Sequence, residues 1–274
     1  MAERIEDRVT AGAEQPGLLA IVGGIPFIDT SVQTPLLLTL AAEVRRRAEP
    51  EAFPALADYL DPENAAEIFR RQSRVEVPIV ASSDLSDDAL SRIRCAVDDI
   101  VDTVPAWRAL FGIPVRYRLV SEGQFRSSSN LLIPQTIFLG EAAFATGGIL
   151  RETLIHEQAH TWLNFLAELS DLQHGSPEGK LTLPSGTTGK TPRGVLYAAH
   201  FAASAVVYYS EQKFAGKPVS ERLNYLVSYL AGCLNTITDS RNLTALGEAV
   251  RDRLGEFSKK VPHSLETKDP QGFV

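Results

Sequence analysis

His156 and His160 stand four residues apart, with Glu157 beside the first, in the run Leu154-Ile155-His156-Glu157-Gln158-Ala159-His160-Thr161-Trp162-Leu163. On a helix this spacing puts the two imidazoles one turn apart on one face, where both reach a single metal ion. Glu157 points toward the same side. It can act there as a base toward metal-bound water, or hold a bound group in position. The helix itself is legible. Ile155, Ala159, Trp162, Leu166 and Leu169 recur at spacings of four and three as an apolar stripe, while His156, His160 and Asn164 form a polar side.

Two imidazoles hold a metal incompletely, so a third protein ligand is expected. The extended protease pattern needs glycine at position 163 and histidine at 166, and the chain has Leu163 and Leu166. A glutamate on a following helix is another arrangement, but Glu178 sits in the loop-like Ser176-Pro177-Glu178-Gly179. Asp171 and His174 are no stronger. His200 is the better candidate. Arg193, Tyr197, His200, Ser204, Val207 and Glu211 recur at spacings of four and three on a segment otherwise built of Val195, Ala198, Ala199, Ala202, Ala205 and Val206. An alanine-rich helix packs close to its neighbour, and a polar stripe buried there needs partners. A metal held by His156, His160 and His200 supplies them. The competing reading makes His200 a core histidine bonded to backbone or tyrosine. Arg193 lies two turns before His200, about 10 Å along the axis. That separation suits a guanidinium pairing with the far carboxylate of a metal-chelating diacid. A surface arginine at the loop end is the alternative.

Three blocks carry a resemblance to a known family. They are Ile133-Pro134-Gln135-Thr136-Ile137-Phe138-Leu139, the His156–Asn164 segment, and Pro192-Arg193-Gly194-Val195-Leu196-Tyr197-Ala198-Ala199-His200-Phe201, with a weaker fourth at Leu243-Thr244-Ala245-Leu246-Gly247. Together they cover roughly the second half of the chain. The chain resembles the HExxH-motif proteins of ribosomal peptide natural-product clusters, which are 2-oxoglutarate-dependent peptide β-hydroxylases. The resemblance implies Fe(II) on His156, His160 and His200, with 2-oxoglutarate as co-substrate and Arg193 at its distal carboxylate. It implies O2 as oxidant, and hydroxylation of a β-carbon in a peptide or amino-acid-derived substrate during natural-product biosynthesis. Glu157 and Tyr197 are the catalytic candidates. One position departs from the family pattern: the histidine that follows its Gly-x-Leu is Tyr197 here, and the histidine comes three residues later.

The residues alone leave two other readings. One is a zinc-dependent hydrolase of peptide or amide bonds with Glu157 as general base; the other is an inactive metal-binding partner protein. A histidine-only ligand set does not choose between iron and zinc.

The remaining chain must position these groups. Thr34-Pro35 and Asp61-Pro62 open helices, and Ser86-Asp87-Asp88 opens a longer one. Leu18–Val22 reads as a buried strand or an irregular core segment, and 75–80 and 115–120 as strands. Leu131–Leu139 is extended, and its proline argues for an edge or a bulge. Residues 170–192 form a long loop. Helices then run over 193–214, 220–237 and 244–259. The expected architecture is mainly α with a small β-sheet (α+β). A single domain spans 17–260, with the metal site between two packed helices and tails at 1–16 and 261–274. The chain is 44% hydrophobic and 22% charged, with a net charge of -7, which argues against nucleic acid or an anionic membrane as partner. No run approaches the about 18 apolar residues of a membrane span. The two cysteines, Cys95 and Cys233, suggest free thiols. A cytoplasmic protein is expected.

Overall fold

A computed structural model describes residues 17–73, 76–121, 126–175, 180–212 and 217–261. The expected tails, apart from Val261, lie outside these residues, and so does Glu178.

The architecture is built around the motif helix, α6 (Gly147–Leu169). Thr146 caps it, its side chain accepting from the Ile149 N–H at 3.1 Å. Leu150, Leu154, Ile155, Ala159, Trp162, Leu163, Phe165 and Leu166 are all buried, so apolar residues run around most of its circumference. That is the pattern of a helix enclosed by other elements. α7 (Pro192–Ser210) packs against it and carries α8 (Lys217–Thr236) and α9 (Ala245–Lys260). α2 (Thr34–Ala48) and α4 (Asp87–Thr103) also pack on α6. The shorter α1 (Leu18–Val22), α3 (Pro62–Gln72) and α5 (Arg108–Phe111) complete the α-helices of the described residues. Strands β1 (Arg116–Val120), β2 (Ser127–Asn130) and β3 (Ile133–Gly140) form a mixed sheet in the order β1-β3-β2, parallel between β1 and β3 and antiparallel between β2 and β3. The fold is therefore mainly α with a small sheet, as the patterning indicated. No helix among the described residues is long and apolar enough to cross a membrane.

Several elements differ from expectation, each for a local reason. Leu18–Val22 is one helical turn, not a strand. It is closed by Gly23 in the left-handed region (φ 83°), where a Cβ would stand 2.2 Å from the Ser31 carbonyl oxygen. Residues 76–80 form no strand, and Ile79 is 96% exposed, so this apolar run covers no core. β3 is the central strand, so of the two readings of its proline the bulge holds and the edge does not. Its Pro134 is accommodated by a bulge: Ser129 pairs with Ile137, but the next residue, Asn130, pairs with Ile133. Gln135 within the bulge has φ 54°, and its amide donates to the Leu60 and Pro114 carbonyls. The buried Arg45 donates to the Gln135 side-chain oxygen at 2.7 Å and forks onto both oxygens of Glu168 near the end of α6. β2 has no apolar alternation in its Ser-Ser-Ser-Asn, which is why periodicity misses it.

Both ends of the described chain brace the middle. Near the first, the Phe27 carbonyl accepts from the Trp107 indole at 3.2 Å, and Asp29 pairs with Arg253 of α9 at 2.9 Å. Near the last, Thr244 caps α9 and donates through its hydroxyl to the Asp171 carbonyl, just past α6. Gly247 packs onto the Leu172 carbonyl so closely that a Cβ would lie 2.0 Å from it. Gly247→Ala should therefore lower unfolding free energy by about 1–3 kcal/mol, the usual cost of overpacking, because backbone must move. A urea titration that leaves the midpoint unchanged would contradict this packing.

Candidate metal centre

α6 presents His156 and His160 to a cleft of about 490 Å³. Their rings stand 4.4 Å apart, nearly perpendicular, and Phe201 of α7 stacks on His156 at 4.1 Å. Tyr197, one turn earlier on α7, lies 5.2 Å from His160, and its hydroxyl donates to the Asn164 side-chain oxygen at 2.6 Å. Glu157 is almost fully buried behind the pair. Its Oε2 accepts from Ser129 of β2 at 2.6 Å and lies 3.8 Å from His160 Nδ1. Donor atoms of His156, Glu157 and His160 all fall within 4.8 Å of one another, the one such cluster among the described residues.

The chemistry of this donor set fits a metal ion. Burial lowers the pKa of His156, against the opposing pull of the Glu157 and Glu152 carboxylates. Burial first, and then the His156 ring, hold His160 well below its ordinary 6.5. Both imidazoles are thus neutral at pH 7, the form that ligates. His160 Nε2 is buried with no hydrogen-bond partner, which costs free energy unless something occupies it. A metal ion is the partner that a second imidazole and a carboxylate beside it make natural.

No protein-family model matches this chain, and no curated protein matches it.

The cleft also gathers basic residues. Arg193 and Lys190 line it, and no aspartate or glutamate among the described residues does. Arg193 is placed by its backbone, whose N–H donates to the Gln173 side chain at 2.9 Å. Gln173 in turn sits on the segment that pairs with Leu243 ahead of α9. Thr191 caps α7 through the Gly194 N–H at 3.2 Å. Sequence reading found Arg193 but missed Lys190 and Ser129. Lys190 stands three residues before Arg193, ahead of the α7 cap, where its backbone bridges Leu181. Ser129 carried no signal at all inside a serine run.

His200 is not brought to the pair, which corrects the expected third ligand. It is fully buried and points elsewhere, its Nε2 2.7 Å from the Pro26 carbonyl oxygen and its ring against Phe27. Since a carbonyl only accepts, Nε2 carries the proton. The reason is helical phase. Successive residues turn by about 100°, so His200 lies about 60° around from Tyr197 and about 100° from Phe201, the residues that face the cleft. The face the site uses thus runs through Arg193, Tyr197 and Phe201, beside the stripe through His200. Asp171 and His174 are outside the cluster as well.

Two outcomes follow. His156→Ala and His160→Ala should abolish metal retention, whereas His200→Phe should keep it, read by metal analysis of the purified proteins. Metal lost from His200→Phe with native circular dichroism would restore His200 as a ligand. Burial also pushes the His200 pKa down to about 4 from an ordinary 6.5. The unfolded chain therefore binds more protons between these values, so this contribution is complete above pH 6.5 and falls away as pH drops toward 4. The loss should reach on the order of 3 kcal/mol in urea titrations and flatten in His200→Phe.

Proposed function

We propose that the protein is an Fe(II)- and 2-oxoglutarate-dependent oxygenase that hydroxylates a β-carbon of a peptide or amino-acid-derived substrate. One observation carries the reading. Two neutral imidazoles face a cleft that also presents Arg193 and Lys190, and the buried Glu157 carboxylate stands behind them with its oxygen within 4.8 Å of their donor atoms. Two histidines and one carboxylate are the donor set of non-haem Fe(II) oxygenases. His156 and His160 would hold the metal, with Glu157 as the third donor in place of His200. Bound there with 2-oxoglutarate and O2, iron supplies the oxidising power for C–H hydroxylation.

The chain's own residues supply position and charge. Ser129 fixes the Glu157 carboxylate, and the stacked Phe201 fixes the plane of His156. Tyr197 is held by Asn164 beside His160, and burial raises its pKa, so its phenol stays neutral. Arg193 and Lys190 offer a guanidinium and an ammonium to a dicarboxylate, with Arg193 suited to a bidentate pair.

A second reading has its own support. Glu157, anchored by Ser129 and 3.8 Å from His160, would serve as the general base of a zinc-dependent peptide or amide hydrolase. The two separate cleanly. Protein loaded anaerobically with Fe(II) should release succinate from 2-oxoglutarate once air is admitted. Arg193→Ala should raise the half-saturating 2-oxoglutarate concentration at least about tenfold, the scale of a lost charged hydrogen bond. Zinc-dependent amide cleavage that Glu157→Gln abolishes, without succinate, would replace the oxygenase by the hydrolase. Bound metal with neither activity would leave a binding partner.

A further inference from the structure

The two outer strands of the sheet are treated differently. β1 is guarded: Arg116 and Arg118 lie along it, and Ser83 bridges Leu119 through two backbone hydrogen bonds of 2.9 Å. Such charges and cover are the usual protection of an edge strand. β2 has neither. Its Ser-Ser-Ser-Asn carries no charge and no proline, and no strand of the described residues pairs with its outer side.

The direction of the unused groups follows from the ladder. The Gly140 N–H donates to the Arg126 carbonyl at 2.8 Å, which makes this a hydrogen-bonded pair. Antiparallel pairs alternate, so Ser128, opposite Phe138, also bonds inward. Ser127 and Ser129 therefore turn their own N–H and C=O groups outward, and no backbone group of a described residue bonds them there. Ser129 and Asn130 line the cleft with His156 and His160. The open edge thus runs into the candidate metal centre. Leu183, Phe201 and Tyr229 give the same cleft apolar walls for side chains.

We propose that the outer edge of β2 docks an extended peptide as a fourth strand, through the backbone of Ser127 and Ser129, and so delivers a peptide residue to the metal centre. This rests on the metal-centre reading and sharpens its substrate class: a peptide chain, not a free amino acid. Backbone pairing gives affinity that tolerates many sequences, and the cleft walls then select the residue that reaches the metal.

Peptide hydroxamates test this, because hydroxamate chelates iron or zinc and needs no turnover. Binding to the metal-loaded full chain is measured by calorimetry for acetohydroxamate, acetyl-trialanyl hydroxamate and the latter with N-methylated backbone. The tripeptide compound is expected to bind at least tenfold tighter than acetohydroxamate, and N-methylation should remove that gain. Ser127→Pro deletes one outward N–H and no bond to β3, so it should remove the gain at unchanged metal content. Ser127→Ala, which keeps the N–H, should retain it. A tripeptide no tighter than acetohydroxamate, or a gain that survives both N-methylation and Ser127→Pro, overturns the docking edge and leaves the metal centre standing. Failure of acetohydroxamate itself to bind overturns the metal centre, and the docking edge with it.

Discussion

Burying a histidine on a helix that has almost no solvent side forces everything around it. α6 is enclosed on most of its circumference, and its motif histidines are half-buried where they meet the cleft. Charged imidazoles would be expensive there, and neutral ones still need partners. The surroundings meet this demand in part. Ser129 serves Glu157, Tyr197 serves Asn164, and Phe201 covers a face of His156. What stays unserved is His160 Nε2. His200 Nδ1 is also buried without a hydrogen-bond partner, but it lies in the core, whereas His160 Nε2 sits beside a second imidazole and a carboxylate.

The same demand explains why α7 has two polar lines and not one. Arg193 and Tyr197 turn to the cleft. His200 and Ser204 turn into the core, where His200 bonds Pro26 and the Ser204 hydroxyl donates to the His200 carbonyl. His200 is thus tied into the core through Nε2, while its Nδ1 is left without a hydrogen-bond partner. Its benefit is structural, because it ties the Gly23–Asp29 turn to the helix that forms one wall of the site.

Much of this was legible in the residues. Strong helices with caps read directly: Asp61, Ser86 and Thr244 stand where their helices start, each accepting from a backbone N–H one turn in. The histidine pair, its helix, Arg193 and Tyr197 were also legible, because spacing alone places them. Two features were not. Spacings of four and three define a stripe on α7 but not which neighbour that stripe meets, and a rotation of about 60° separates a cleft-facing residue from a core residue. Bulges and short polar strands carry no periodic signal, so β2, Ser129 and the central place of β3 appear only once the chain is folded.

The Asp29–Arg253 pair joins residues 224 positions apart. Together with the Thr244 and Gly247 contacts beneath α6, it means the stretch holding the cleft-facing histidines is clamped between the turn after α1 and the last helix, α9. Closing so long a span must be met in entropy before the clamp gives anything back. During synthesis the two histidines therefore leave the ribosome well before α9 exists to complete their surroundings. For that interval they are an ordinary, accessible pair of imidazoles on an unfinished chain.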